Sequence, residues 1–201
     1  ARHLQEAKLS TLLGVKLDSY ERWLDSAEAA LPAMSMACIA LEWGRIEADS
    51  GRADYDRFDA QMEWARKNNL RVCGGPLIGL QPHTMPQWLH LLNDFETLLE
   101  AACTFTRKTV QRYKGKVHLW SAATGLNSPS DLGLTDEQIL RLAVGIIQTV
   151  RRADDRTPVV LHLDIPWAEY LGQNENAISP IHLADALIRA ELGLSGICLD
   201  F

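Results

Sequence analysis

The order of apolar and amphipathic segments in this chain predicts an α/β fold built on a parallel sheet. Short apolar runs alternate with helix-length amphipathic segments along the 201 residues, which is typical of βαβ units. The run at residues 34–41 has no polar face, as expected for a strand that is covered on both sides. An open doubly wound sheet and a barrel both satisfy this pattern. No glycine-rich phosphate loop follows the first strand, where Gly14 stands alone, so a dinucleotide-binding sheet is disfavoured.

Six strands are predicted from short apolar runs whose length fits buried strands. They lie at residues 11–17, 34–41, 70–78, 116–123, 158–165 and 194–200.

Five helices are predicted between the strands, at residues 19–30, 55–68, 95–113, 135–153 and 180–191. Asp18 is the expected N-cap of the first helix. Thr135 and Gln138 have the spacing of a capping box at the start of the fourth. In the second helix, Phe58 and Met62 share the apolar face.

The composition excludes two classes of function. The net charge is −6 and the isoelectric point is near 5.5, and the basic residues are dispersed, whereas a nucleic-acid surface needs clustered positive charge. No apolar run approaches the ~20 residues of a membrane-spanning helix. The sequence therefore predicts neither nucleic acid nor membrane as a partner.

The cysteine pattern predicts unpaired buried thiols. Cys38, Cys73, Cys103 and Cys198 form no Cys-x-x-Cys motif, and no histidine lies at a zinc-ligand spacing beside them. We therefore expect no metal site and no cofactor, with the four thiols acting as small core side chains. Unpaired thiols favour a reducing, cytoplasmic compartment, and the sequence leaves secretion open.

Two sequence motifs, which we call framework motifs, indicate the family to which the fold is similar. Trp-Gly-Arg-Ile-Glu at 43–47 is followed by Gly51, and Arg-Tyr-Lys-Gly-Lys-Val at 112–117 is followed by Trp120. In order and spacing, these motifs resemble glycoside hydrolase family 10, the xylanase-like barrels. The resemblance extends over roughly residues 11–201. It implies a (β/α)8 TIM-barrel type of fold, with about six βα units in this chain.

The strand count leads to an expectation about the domain. A TIM barrel has eight strands, and a sheet of six would leave two edges open to association. We expect residues 1–201 to form a single barrel domain that is incomplete at its C-terminal side. Its edges would be covered by the remainder of a longer chain or by another subunit.

The resemblance also implies which chemistry to look for. The family's enzymes are retaining glycosidases that use an acid/base and a nucleophile carboxylate. Their acid/base Glu belongs to an Asn-Glu pair after the fourth strand, and counting from Trp120 places that pair on Thr124 and Gly125. The nucleophile belongs to a seventh strand, beyond the six predicted here. The sugar-binding motifs of the second and third strands are replaced at 39–43 and 74–80. Without a general acid, which contributes about 10²–10⁴-fold, the chain is expected to be a degenerate, pseudoenzyme-like relative.

Polar residues after the predicted strands are the remaining site candidates, because barrel active sites lie at strand C-terminal ends. The catalytic residues are unknown, and the weak candidates are Asp164, Asp200 and Glu42. The candidates for ligand binding are Trp167, Trp88, Asn127 and His83.

Structural roles compete with these functional ones. Glu42 has Arg45 or Lys16 as an ion-pair partner, and Asp164 can organise an Asx turn before Pro166. Glu47 fits a turn-capping role, His162 fits a satisfied core position, and Trp120 belongs to the framework.

Three functions stay open at this point. The first is a family-10-like barrel that binds a carbohydrate or serves as a structural module. The second is an active hydrolase of a plant-type polysaccharide with relocated carboxylates. The third is an unrelated α/β enzyme, although the sequence contains no nucleophile elbow, zinc motif or P-loop.

Overall fold

A computed structural model describes residues 12–17, 31–92, 94–128, 132–168 and 178–200 of this chain. Its strands are β1 (Gly14–Lys16), β2 (Met36–Ile39), β3 (Arg71–Gly74), β4 (Ile78–Gly79), β5 (Leu119–Ser121), β6 (Ala123–Thr124), β7 (Val159–Asp164) and β8 (Gly196–Asp200). Its α-helices are α1 (Trp43–Ile46), α2 (Asp56–Lys67), α3 (Phe95–Tyr113), α4 (Asp136–Ala153) and α5 (Pro180–Arg189). Leu31–Ala33 and Gln87–Leu91 form 3₁₀ turns.

The main sheet is the curled parallel wall of a barrel. Its strand order is β1-β2-β3-β5-β7-β8, and each neighbouring pair is parallel. A second parallel pair, β4 with β6, continues from β3 and β5. The predicted α/β fold with about six βα units is confirmed. Helices α2, α3, α4 and α5 follow successive strands, as βαβ connections require.

Two predicted strands are interrupted. The run at 70–78 divides into β3 and β4 around Gly75 and Pro76, which are joined by a cis peptide bond. Pro76 has no N–H to give to the ladder. Gly75 has φ +120°, and a Cβ there would lie 2.2 Å from the carbonyl oxygen of Ser121. The strand at 116–123 divides at Ala122, whose N–H bonds to Val160 instead.

The helix predictions are confirmed for four segments. Helix α3 matches its predicted range, with the Asp94 side chain accepting from the Thr97 N–H as N-cap. The capping box of Thr135 and Gln138 is present at α4. Helix α1, at the Trp43 motif, was not predicted because four residues are too few to show a helical period. The helix expected at 19–30 and its cap at Asp18 lie outside the described residues.

The tryptophans of the framework motifs are core residues. The Trp43 ring stacks on Phe105 at 5.4 Å between centroids and meets Trp88 edge-on at 5.6 Å. Trp120 is fully buried, and its Nε1 donates to Asp154 Oδ2 at 3.0 Å. These contacts lie between the sheet and its covering helices, so the motifs that carry the resemblance are structural.

The expectation of four buried thiols is wrong for three of them. All four cysteines are unpaired, but only Cys73 is buried, whereas Cys38, Cys103 and Cys198 are half-buried. Hydrophobicity alone could not separate them, because Cys38 and Cys198 lie on strand faces that border a cavity or an open edge.

The terminal strands of the main sheet are β1 and β8, each paired on one side among the described residues. In the same part of the chain, no helix combines the length and the apolar character that crossing a bilayer would need.

Candidate functional site

A cavity of about 430 Å³ opens at the C-terminal ends of the strands. Its volume falls within the range of small-molecule sites, about 300–1,000 Å³. Three predicted carboxylates, those of Glu42, Asp164 and Asp200, line it together with His83. These side chains lie close together because the C-terminal ends of parallel strands all lie at the same edge of the sheet.

Asp164 is the most strongly held polar group of this cavity. It is 6% exposed. Its carboxylate accepts from Thr124 Oγ1 at 2.7 Å, from Gln81 Nε2 at 3.1 Å and from Ser128 Oγ at 3.3 Å. Asn127 fixes the backbone of the same residue, donating to its carbonyl at 2.5 Å and accepting from its N–H at 3.0 Å. The carboxylate is therefore a fixed acceptor, satisfied by its neighbours rather than by the expected Asx turn.

Glu42 is a buried carboxylate that forms an ion pair with Arg45. It is 7% exposed, and its Oε2 lies 2.6 Å from Arg45 Nε. The contact is close but poorly aligned, so Oε2 has an ionic partner without a well-directed hydrogen bond. The predicted pair with Arg45 is confirmed. An under-satisfied carboxylate at a cavity wall retains the capacity to accept a ligand hydroxyl.

His162 and Asp200 form a charged pair at the β7–β8 side of the cavity. His162 Nδ1 lies 3.0 Å from Asp200 Oδ2. Burial alone would lower the pKa of His162, but hydrogen bonds to Cys198 and Asp200 outweigh it and raise the pKa to about 9. The imidazole is therefore protonated at neutral pH, and this side of the cavity carries a cation bound to a carboxylate. The expectation of a satisfied histidine is confirmed, although the position borders the cavity.

Thr124 and Gly125 occupy the position to which the resemblance assigns an acid/base pair. The Thr124 hydroxyl is committed to Asp164. Gly125 has φ +74°, in the left-handed region that favours glycine. A Cβ built there would lie 3.3 Å from the Leu80 nitrogen. The local backbone therefore suits glycine and would strain a longer residue.

The other ligand-binding candidates lie away from the cavity wall. Trp88 is half-buried in the core and donates from Nε1 to the Glu47 carbonyl at 3.0 Å. Asn127 is buried and positions Asp164 rather than facing the cavity. Trp167 is 75% exposed and borders a separate apolar hollow with Pro166 and Leu199.

Glu47 has the capping role that its position indicated. One carboxylate oxygen accepts from Trp43 Nε1 at 2.9 Å and the other from the Gly51 N–H at 2.8 Å. Glu47 thereby connects the start of the first framework motif, Trp43, to Gly51 after its end.

Several residues that line the cavity were not among the site candidates from the sequence. Lys16, Cys38, Cys73, Gln81 and Thr124 all line the space. Lys16 and the two cysteines lie within strands, where only the alternation of faces could have signalled them. Gln81 lies in a loop, and no motif marked it.

A larger hollow, of about 800 Å³, lies between α2, the start of β3 and the residues after α3. It holds Arg66, Arg71, Arg112 and Lys116 alongside Asp59 and Glu63. It is remote from the strand C-terminal ends, so size alone does not identify the site. Nowhere in the described ranges do three or more His, Cys, Asp or Glu side chains come together as a metal site.

A curled parallel sheet, helices over its outer face and a polar cavity at the strand C-terminal ends together define a TIM-barrel type of protein. The model of glycosyl hydrolase family 10 matches residues 25–133, which is just over half of the chain. The chain belongs to that family.

Curated relatives of this chain are xylanases. Endo-1,4-beta-xylanase 4 of Arabidopsis thaliana is 25% identical over 124 residues, covering 58% of this chain and 21% of its own length. Endo-1,4-beta-xylanase 3 of Hypocrea jecorina is 27% identical over 81 residues, covering 40% of this chain and 23% of its own length. The chain thus spans about a fifth to a quarter of these relatives.

Solved structures agree on the fold. Native xylanase 10C of Cellvibrio japonicus superposes with a TM-score of 0.74 at 17% identity, over 98% of this chain and 44% of the other. Xylanase 10B of Thermotoga maritima gives 0.69 at 17% identity, over 94% and 59%. The related xylanase 10B of Thermotoga petrophila, with 0.68 at 17% identity over 94% and 58%, was solved in complex with xylobiose.

Proposed function

We propose that this chain is a carbohydrate-binding member of glycosyl hydrolase family 10 that does not hydrolyse its ligand. The expected ligand is a xylan-type oligosaccharide, the class named for its curated relatives. The observation that carries the proposal is Gly125, which stands on left-handed backbone where the family places its general acid.

The cavity suits a sugar without offering an acid in the expected place. Carbohydrate hydroxyls need both donors and acceptors, and the cavity supplies Gln81, His83 and Lys16 beside the carboxylate of Glu42. Asp164 supports the wall, since its oxygens are already engaged by three side chains. The site can therefore orient a sugar, while proton donation to a leaving oxygen has no group at position 125.

Binding and hydrolysis should be measured on the same preparation. Titration with xylotriose, followed by calorimetry or by chemical-shift changes, should show saturable binding with no release of reducing sugar. The variant His83→Ala should weaken binding. His90→Ala is the matched control, because His90 is exposed on the 3₁₀ turn and lies outside the cavity lining. Absence of binding by the unmodified chain, or equal loss in both variants, would contradict the proposal.

An active hydrolase with relocated carboxylates is the second candidate. The observation that favours it is that Glu42, Asp164 and Asp200 line one cavity. Glu42 is the strongest of them because its Oε2 has no aligned donor. Release of xylose or xylobiose from xylan that Glu42→Gln, Asp164→Asn or Asp200→Asn abolishes would establish this candidate and overturn the non-hydrolytic one.

We further propose that other polypeptide covers the open edges of the main sheet, from the same chain or another subunit. Unpaired strand edges template association, and Leu199 on β8 is 50% exposed. Residues 1–201 alone should self-associate or melt with poor cooperativity. Leu199→Lys should reduce association in light scattering, whereas Ile188→Lys, on α5, should not. A monomer with a sharp two-state melt would refute this.

A further inference from the structure

Two of the four cysteines lie side by side on the wall of the cavity. Cys38 of β2 and Cys73 of β3 are register partners in neighbouring parallel strands, and both line the cavity. Neighbouring strands are about 4.8 Å apart. That spacing falls within the Cα separations of about 4.4–6.8 Å over which disulfides form. The register therefore gives these two residues a backbone separation at which a disulfide can form.

The surroundings make the two thiols chemically different. A hydrogen bond from the Cys73 thiol opposes the effect of burial, and with the charges of His162 and Lys16 it lowers the pKa of Cys38 to about 7. Lys16 is the register partner of Cys38 on the opposite strand neighbour. The same hydrogen bond, with burial, raises the pKa of Cys73. At pH 7 about half of the Cys38 side chains are therefore thiolates, and the Cys38 sulfur accepts a hydrogen bond from the Cys73 thiol.

Access separates the pair further. Both line the cavity, but Cys38 is half-buried, whereas Cys73 is only 7% exposed. A small solute in the cavity therefore reaches Cys38 first. The other two cysteines differ: Cys103 lies on α3 against α4, where its Sγ would be 3.3 Å from a Cβ at Gly145, and Cys198 is hydrogen-bonded to His162.

We propose that Cys38 and Cys73 are a hydroperoxide-reactive dithiol site, with Cys38 as the attacking thiol and Cys73 as the resolving thiol. The Cys38 thiolate attacks the hydroperoxide, so that an S–O bond forms, the O–O bond breaks and the alkoxide or hydroxide leaves as an alcohol or water after taking a proton. The Cys73 sulfur then attacks the Cys38 sulfenic acid. An S–S bond forms, the S–O bond breaks, and the hydroxyl leaves as water with the Cys73 proton. Two thiols lose two electrons and the hydroperoxide gains them.

Site-resolved mass spectrometry tests this on the unmodified chain. Hydrogen peroxide added in slight excess at neutral pH should remove two hydrogens from the protein and link the peptides of Cys38 and Cys73. Digestion with trypsin and Glu-C is needed, because no Lys or Arg separates Cys73 from Cys103, whereas Asp94, Glu96 and Glu100 do. Iodoacetamide should label Cys38 several-fold faster than Cys103, because Cys38 borders the open cavity and its pKa is lowered to about 7. Faster labelling at Cys103 or Cys198, or a link to either, would overturn the proposal.

Single cysteine-to-serine variants separate the attack on the hydroperoxide from the formation of the disulfide. In Cys73→Ser, the sulfenic acid at Cys38 has no resolving thiol, so its capture by dimedone should rise several-fold and the linked peptide should be lost. Cys38→Ser should lose both products. Cys103→Ser is the matched control and should behave like the unmodified chain. If Cys38→Ser does not fold, the labelling rates of the unmodified chain decide the outcome. Unchanged dimedone capture in Cys73→Ser would refute the resolving role.

Discussion

The outer wall of this barrel and its cavity end are built from different kinds of residue. The outer wall keeps large apolar side chains with satisfied polar atoms, such as Trp120 with its bond to Asp154. The cavity end carries small or polar residues, including Thr124, Gly125 and Cys38. The family resemblance depends on the wall, and the proposed loss of hydrolysis depends on the cavity end. Fold and chemistry are thus specified by separate sets of residues, which can change independently.

The largest expected effect on stability comes from a substitution in the outer wall of the barrel. Trp120→Ala would leave a cavity at a fully buried position and would remove a hydrogen bond from buried Asp154. The free energy of unfolding should fall by about 3–5 kcal/mol, measured from urea denaturation midpoints. Trp167→Ala is the control for loss of an indole at an exposed position. Similar losses in both variants would show that the wall is not the stabilising region.

A smaller loss of stability is expected from a substitution at Asn127, which lies between the outer wall and the cavity end. Asn127→Ala would remove both hydrogen bonds to the Asp164 backbone. Leaving that buried donor and acceptor unpaired should cost about 1–3 kcal/mol in thermal or urea unfolding. Proposed sugar binding should weaken too, because Asp164 anchors Thr124 and Gln81. Unchanged stability would mean that water or other groups replace the amide.

The sequence predicted the wall better than the cavity end. Helix α3 has the bounds that the sequence predicts, and both of its ends are local: Asp94 caps its start, and Gly115, with positive φ, follows its end. The strand breaks at Gly75 and Ala122 were not predicted, because they depend on contacts with neighbouring strands that are distant in sequence. Convergence of Glu42, Asp164 and Asp200 followed from strand parallelism alone. The pairing of Cys38 with Cys73 needed the strand register, and the distance of Trp167 from the cavity needed the loop path.

A pH effect on stability is expected from the cavity end. The pKa of His162 is raised from 6.5 to about 9 in the folded chain. Its stabilisation is therefore fully present below pH ~6.5 and is lost as the pH rises through about 9. Because Asp200 is half-exposed, the effect should be about 1 kcal/mol after solvent screening. His162→Gln should flatten this part of the stability–pH curve, and an unaltered slope would contradict the assignment.

The smallest effect is expected on the surface of α2. Glu63 and Arg66 form a pair at 2.7 Å between exposed side chains. Such pairs are screened by solvent, so Glu63→Gln should leave the unfolding midpoint unchanged. A clear loss would show that this carboxylate stabilises the larger hollow between α2 and β3, whose lining includes Glu63 and Arg66.

The contacts of Asp154 predict which segments of the chain unfold together. Its carboxylate accepts from Trp120 Nε1 at 3.0 Å and from Thr157 Oγ1 at 2.7 Å, and it caps the turn between α4 and β7. One side chain thereby joins the end of α4, the inner strand β5 and the turn that leads into β7. These segments should exchange their amide hydrogens as one slow cooperative unit. The edge strands β1 and β8, outside that unit, should exchange first.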